Sequence, residues 1–80
     1  MTRVLLFHTL KQAAGTDQIR IPVEQPLTEE DFWKLLLTHF PKLAPYRSHT
    51  RIACNQAYLG ADDCIRPGDE VALIPPVSGG

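Results

Sequence analysis

The sequence predicts an α+β fold: a mixed sheet of about five strands packed on one main helix. Three observations predict it. A stripe of Phe32, Trp33, Leu36, Leu37 and Phe40 recurs at helical spacing behind a capping residue, Thr28. Short apolar runs stand near both ends of the chain, Val4 to Phe7 and Val71 to Ile74. Turn signals divide the rest into short strands, so that two hairpin-like halves flank the helix.

Arg3 to His8 reads as a buried strand. Thr9 to Ala14 follows as one or two helical turns, ended by Gly15 in a left-handed conformation. Asp17 to Val23 alternates, with Ile19, Ile21 and Val23 on one side. Pro22 has no N–H to give a ladder, which marks this strand as an edge. Thr28 then caps the helix, with Asp31 at the third helical position as an acidic capping box. Leu27 and Phe32 are placed for a hydrophobic staple. Glu29, Glu30 and Asp31 put negative charge at the positive end of the helix dipole. Pro41 stops the helix, and Lys42 to Thr50 reads as a loop. Arg51 to Cys54 and Ala57 to Leu59 are two arms around an Asn55-Gln56 turn, since asparagine tolerates positive φ. Gly60 to Asp63 is irregular, Arg66-Pro67-Gly68-Asp69 is a turn, and Glu70 to Ile74 is the last strand. With the first and last strands side by side at the centre, this is the β-grasp, or ubiquitin-like, arrangement. The domain spans residues 1–74, and residues 75–80 form a flexible tail.

Composition limits what such a domain does. Eighty residues make one small domain with little room for an enclosed active site. A hydrophobic fraction of 44% excludes disorder of the whole chain. The formal net charge is -1 without a run of like charges, so no nucleic-acid or acidic-membrane partner is expected. No apolar stretch is long enough to span a bilayer, and the start MTRVLLFHTL lacks a small-residue cleavage site. Cys54 and Cys64 form no C-x-x-C pair; both are expected reduced, as packing residues of a cytoplasmic protein. His8, His39 and His49 are scattered, so no metal site is expected. No nucleophile–base pair or phosphate-binding glycine loop argues for a stand-alone enzyme.

Strand parity makes one more point. If Val4, Leu6, Val71 and Leu73 face the helix, then Leu5, Phe7, Ala72 and Ile74 share the opposite face. A one-sided sheet is normally polar there. Two readings stand: scattered surface hydrophobes, which are common, or a partner-docking patch. Tyr58 joins the patch if its parity matches.

The patch lies beside the root of the tail, Pro75-Pro76-Val77-Ser78-Gly79-Gly80. The prolines end the sheet and stiffen the exit. From Pro75 to Gly80 the extended reach is roughly 20 Å, at about 3.3 Å per residue. Gly79 and Gly80 lack a Cβ, so they suit a narrow channel and a close approach of backbone to a bound group. The only reactive group expected there is the Gly80 α-carboxylate, which becomes an acyl donor once activated, for example by adenylation with ATP. A frayed terminus is the simpler reading of any glycine-rich end. Its place behind the last β-grasp strand favours a carrier whose chemistry sits on its own terminus.

These residues resemble a known family. Asn55-Gln56, then R-P-G-D-E-V-A (Arg66 to Ala72), then P-P-V-S-G-G (Pro75 to Gly80) are similar to the small subunit of molybdopterin synthase, the MoaD-type sulfur carriers. Val4 to Phe7 and Gly15 to Asp17 are similar as well, whereas residues 24–50 match in pattern alone. The resemblance implies an E1-like activating enzyme that adenylates Gly80 with ATP and Mg²⁺, no tightly bound cofactor being carried by the chain itself. A sulfur donor protein then makes a thiocarboxylate. The tail inserts into the large subunit of a heterotetramer and delivers sulfur to cyclic pyranopterin monophosphate, in molybdenum cofactor biosynthesis. By this likeness Gly80 is the thiocarboxylate residue and Gly79 the threading glycine. Leu5, Phe7, Tyr58, Ile74, Pro75, Pro76, Val77 and Ser78 are expected to meet the partner. Tyr58 departs from the usual leucine or phenylalanine, and its hydroxyl needs a polar partner or water. Lys11 is either near the interface or a solvated helix residue. The tail chemistry also fits a sulfur carrier of another pathway (thiamin, tRNA thiolation or cysteine) and a ubiquitin-like protein modifier. A β-grasp module with an idle tail is the remaining class.

Overall fold

The elements run β1 (Thr2–Leu6), α1 (Thr9–Ala14), β2 (Gln18–Ile21), α2 (Glu29–His39), a 3-10 segment (Pro41–His49), β3 (Arg51–Cys54), β4 (Ala57–Tyr58) and β5 (Glu70–Ile74). This is a computed structural model that describes residues 1–75. The five strands form one sheet in the order β2-β1-β5-β3-β4. The first and last strands pair in parallel at its centre, Val4 beside Val71 and Leu6 beside Leu73. β2 lies antiparallel to β1, and β3 antiparallel to both β5 and β4. The result is the expected α+β, ubiquitin-like β-grasp.

The helix forms where its cap and its apolar spacing coincide. Thr28 is extended, and its side-chain oxygen accepts from the Asp31 N–H at 3.2 Å. The first turn carries Glu29, Glu30 and Asp31. Phe32, Trp33 and Leu36 are buried against the sheet residues Val4, Leu6, Ile19, Ile21, Ile52, Val71 and Leu73. Each such side chain contributes about 1.5–3 kcal/mol when fully buried, so these residues hold helix and sheet together. Leu37 and Phe40, expected on the same face, are only partly buried at its margin.

Several local expectations are corrected. β1 begins at Thr2 and ends at Leu6, so Phe7 and His8 leave the ladder. His8 stands at φ 51, ψ -120, a conformation that turns the chain into α1 and buries Leu10. β2 spans Gln18–Ile21 and not the whole run to Val23. The return arm is only Ala57–Tyr58. Asn55 and Gln56 both have positive φ, 53 and 71, which suits the tight hairpin turn.

The expected loop at 42–50 is instead the 3-10 segment Pro41–His49. Pro45 has no N–H to continue an α-helical ladder, and Leu43 donates to the Phe40 carbonyl three residues back. Fully buried Leu43 anchors the segment to the core. Ile65, between the irregular stretch and the turn, is also fully buried, and it exchanges two backbone hydrogen bonds with Leu27, each 2.8 Å. No helix among the described residues is long and apolar enough to cross a membrane.

Candidate partner-docking face

One face of the sheet is covered by α2, and the other is uncovered by any described element. Pairing decides which side chains share the uncovered face. Gln18, Leu5, Ala72, Ala53 and Tyr58 stand in one row across all five strands. Ile74 and Arg51 form a second row, and Glu70 and Arg3 a third. The two alanines leave the middle of the first row shallow between Leu5 and Tyr58. Leu5, Ala72 and Ile74 are half-buried, while Tyr58 is 56% exposed.

The expected apolar centre is therefore assembled by the central strands. Tyr58, whose parity was open, lies opposite Ala53 and so belongs to it. Phe7 reaches the same end of the molecule differently. It is 43% exposed at the junction of β1 and α1. There it lines an open groove of about 760 Å³ with Leu5, His8, Lys11 and Gln18. Lys11 thus lies beside the face. Pro75 is half-buried at the end of β5, two residues from Leu73 of the core. Pro76, Val77, Ser78, Gly79 and Gly80, all of them expected site residues, lie outside the described residues.

Two members of the face were not expected. Ala53 is 7% exposed and forms the floor between Ala72 and Tyr58. Arg51 sits beside Ile74 and stacks over the Tyr58 ring at 4.2 Å from the centroid. Strand parity within Arg51 to Cys54 was the available signal, but it needed the register of β3 against β5. Arg3 and Glu70 form an ion pair across the parallel strands.

Below the face, the two turns expected from N-Q and R-P-G-D fold onto each other. Asp69 accepts from the Arg66 N–H at 2.8 Å, from Asn55 Nδ2 at 3.2 Å and from Cys54 Sγ at 3.3 Å. Asn55 Oδ1 accepts in turn from the Glu70 N–H at 3.0 Å. The Arg66 N–H is the main reason that the Asp69 carboxyl is held below its ordinary value. Burial, followed by the hydrogen bond to Asp69, pushes the Cys54 thiol up to about 11. Such a thiol is a poor nucleophile and metal ligand. Cys54 and Cys64 are both free, half-buried thiols. Among the described residues no group of three or more histidine, cysteine or acidic side chains is arranged to hold a metal.

Among the described residues the arrangement offers a surface that ends at Pro75. The ThiS family model matches residues 4–80. The chain belongs to the ThiS family. Within that family it is 36% identical to the human molybdopterin synthase sulfur carrier subunit, covering 96% of this chain and 91% of the relative. It is 33% identical to the protein of the same name from Escherichia coli (strain K12), over 100% of both chains. Among solved structures it resembles SAMP1 from Haloferax volcanii, with a TM-score of 0.82 and 29% identity over 99% of this chain and 98% of that one. The ThiS match extends through the middle, residues 24–50, where the sequence resemblance rested on pattern alone.

Proposed function

We propose that the protein is the sulfur carrier subunit of molybdopterin synthase. The observation that carries this reading is its likeness to sulfur carrier subunits along nearly the full length of both chains. The geometry agrees with it. A central strand, β5, leads directly from the core to Pro75 beside an apolar face, and Gly79-Gly80 follow in the sequence. A carrier needs a rigid body that a partner can grip and a thin segment that enters the partner's site.

The chemistry then belongs to Gly80. A carboxylate oxygen attacks the α-phosphorus of ATP, held with Mg²⁺ by an E1-like enzyme, and pyrophosphate leaves. The terminal sulfur of a donor protein's persulfide displaces AMP to give an acyl disulfide. A second thiol then attacks the donor's sulfur, which breaks the S–S bond and leaves the thiocarboxylate on Gly80 and a disulfide on the donor side. The large subunit grips the outer face and takes the tail; its substrate, cyclic pyranopterin monophosphate, bonds to the sulfur, and water cleaves the acyl C–S bond, so that Gly80 returns as a carboxylate. Two copies of each subunit make the working heterotetramer in the cytoplasm. Leu5, Phe7, Tyr58, Ile74 and Pro75 form the gripped surface, and Pro76 to Ser78 the approach to the site. Phe7→Asp should weaken binding of the large subunit at least tenfold by calorimetry, because a charge is then placed in an apolar contact.

The deciding experiment is top-down mass spectrometry of the protein from its native cell. Sulfur in place of one oxygen, localised to Gly80, is the expected result. A plain carboxylate after incubation with activating enzyme, ATP and a sulfur source would refute the reading. The likeness to SAMP1, a small archaeal modifier protein, favours a second reading, in which Gly80 is joined to lysine amines. Isopeptide-linked conjugates in those cells would support it.

A further inference from the structure

The outer face is polarised in charge as well as apolar. Among the described residues its strands hold three arginines, Arg3, Arg20 and Arg51, and one carboxylate, Glu70. Glu70 is taken by Arg3. The chain as a whole has a net charge of -1, so this face is positive on a slightly acidic protein. Arg20 lies on the edge strand β2, two strands from β5. Arg51 is on β3, directly opposite Ile74, the last residue before Pro75.

Arg51 is also held in place. Its guanidinium carbon stands 4.2 Å from the Tyr58 ring centroid. Stacking of this kind fixes a long side chain while leaving its N–H donors at the edge of the plane. Among the described residues Arg51 has neither an ion-pair partner nor a side-chain hydrogen bond. An ordered cation with unused donors, set between Tyr58 and Ile74 in an apolar surface, is pre-organised for a carboxylate from outside.

We propose that Arg51 is a recognition residue, whose guanidinium pairs with a carboxylate of the large subunit that seats on the outer face. This rests on the reading of the protein as a synthase subunit. The occupant's chemistry follows from the face: an apolar centre over Leu5, Ala72 and Ala53, and an acidic side chain over Arg51. The pair fixes the partner's orientation at the root of the tail, where a small rotation displaces the far end of the tail most. Tyr58 then acts through Arg51, as its platform.

The test measures binding of the full chain to the large subunit from the same organism, by calorimetry at low and high salt. Wild-type affinity should fall as salt rises, because the pair is screened. Arg51→Glu should weaken binding about tenfold or more, and Arg51→Gln should flatten the salt dependence. Arg51→Lys should recover only part, since an ammonium neither stacks nor chelates as a guanidinium does. Reversing the facing acidic residue of the large subunit to arginine should rescue Arg51→Glu, an effect that no structural role of Arg51 would produce. Unchanged melting temperatures would show that the variants fold. Wild-type-like affinity of Arg51→Glu at low salt, with Phe7→Asp still impaired, would overturn the inference and leave the synthase reading standing. Failure of the wild-type chain to bind the large subunit at all would overturn both.

Discussion

Asp69 shows how one side chain ties two turns together. It accepts from Arg66, Asn55 and Cys54, and Asn55 passes the connection on to Glu70 at the start of β5. Asp69→Ala removes all three bonds and should cost about 2 kcal/mol in thermal or denaturant unfolding. The same substitution should bring the Cys54 thiol back toward its ordinary value. Alkylation of Cys54 at about pH 8, followed by peptide mass, should be slow in the wild type and faster in the variant. The pH dependence has a definite sign. The Cys54 value is raised, from 9.0 to about 11, so its contribution to stability is present below 9.0 and is lost as pH rises toward about 11. Asp69 is lowered from 3.8, so its contribution is present above that value and is lost only as pH falls further. Melting curves should therefore show an alkaline loss that disappears in Cys54→Ala. His8 is the other informative residue. At φ 51 a side chain is strained and glycine is not. His8→Gly should raise stability by about 1 kcal/mol in chemical unfolding; a loss of that size would mean that the His8 side chain holds the entrance to α1.

At the scale of elements, α2 depends on its start. Thr28 satisfies one of the first N–H groups, and the three acidic residues after it complement the dipole. Thr28→Ala should cost about 1 kcal/mol, and Thr28→Ser almost nothing, by thermal unfolding. The end of α2 is set differently. Phe40 has left the helical conformation, and Pro41 opens the 3-10 segment that carries Leu43 into the core. The strands depend on their partners more than on themselves. β4 has two residues and stands only because Ala53 and Cys54 pair with them. That pairing sets Tyr58 on the outer face, and with it the platform under Arg51.

On the proposed function, the whole molecule separates structure from chemistry. The buried hydrophobic side chains among the described residues run from Val4 to Leu73. Deleting Gly80 removes no side chain from that core. The variant should melt at the wild-type temperature and should fail to accept sulfur when given activating enzyme, ATP and a sulfur source. A large loss of thermal stability would sink the division into a folded body and a chemical end. The parallel pairing of β1 with β5 makes the division possible, because it places the root of the tail at the centre of the sheet and not at an edge.

Local chemistry made much of this legible in the sequence. The cap at Thr28, the stripe through Trp33, the Asn55-Gln56 turn and the alternation of Ile19 and Ile21 each depend on neighbours a few residues away, so periodicity and turn residues reveal them. The apolar parity of Leu5 and Ile74 was legible for the same reason. Residues 42–50 were not, because Pro41 before them and Pro45 within them read as a break, whereas burial of Leu43 winds the segment into 3-10 turns. The burial of Ile65 was not legible either, because its partner, Leu27, lies far away in sequence. Arg51 and Ala53 entered the candidate site only through the register of β3 on β5, which no local pattern contains. By itself the sequence determined the fold class and the capped helix, since these rest on local spacing and on residue chemistry. Tertiary structure alone decided which side chains stand together on the outer face, because strand register is set by packing across the whole sheet.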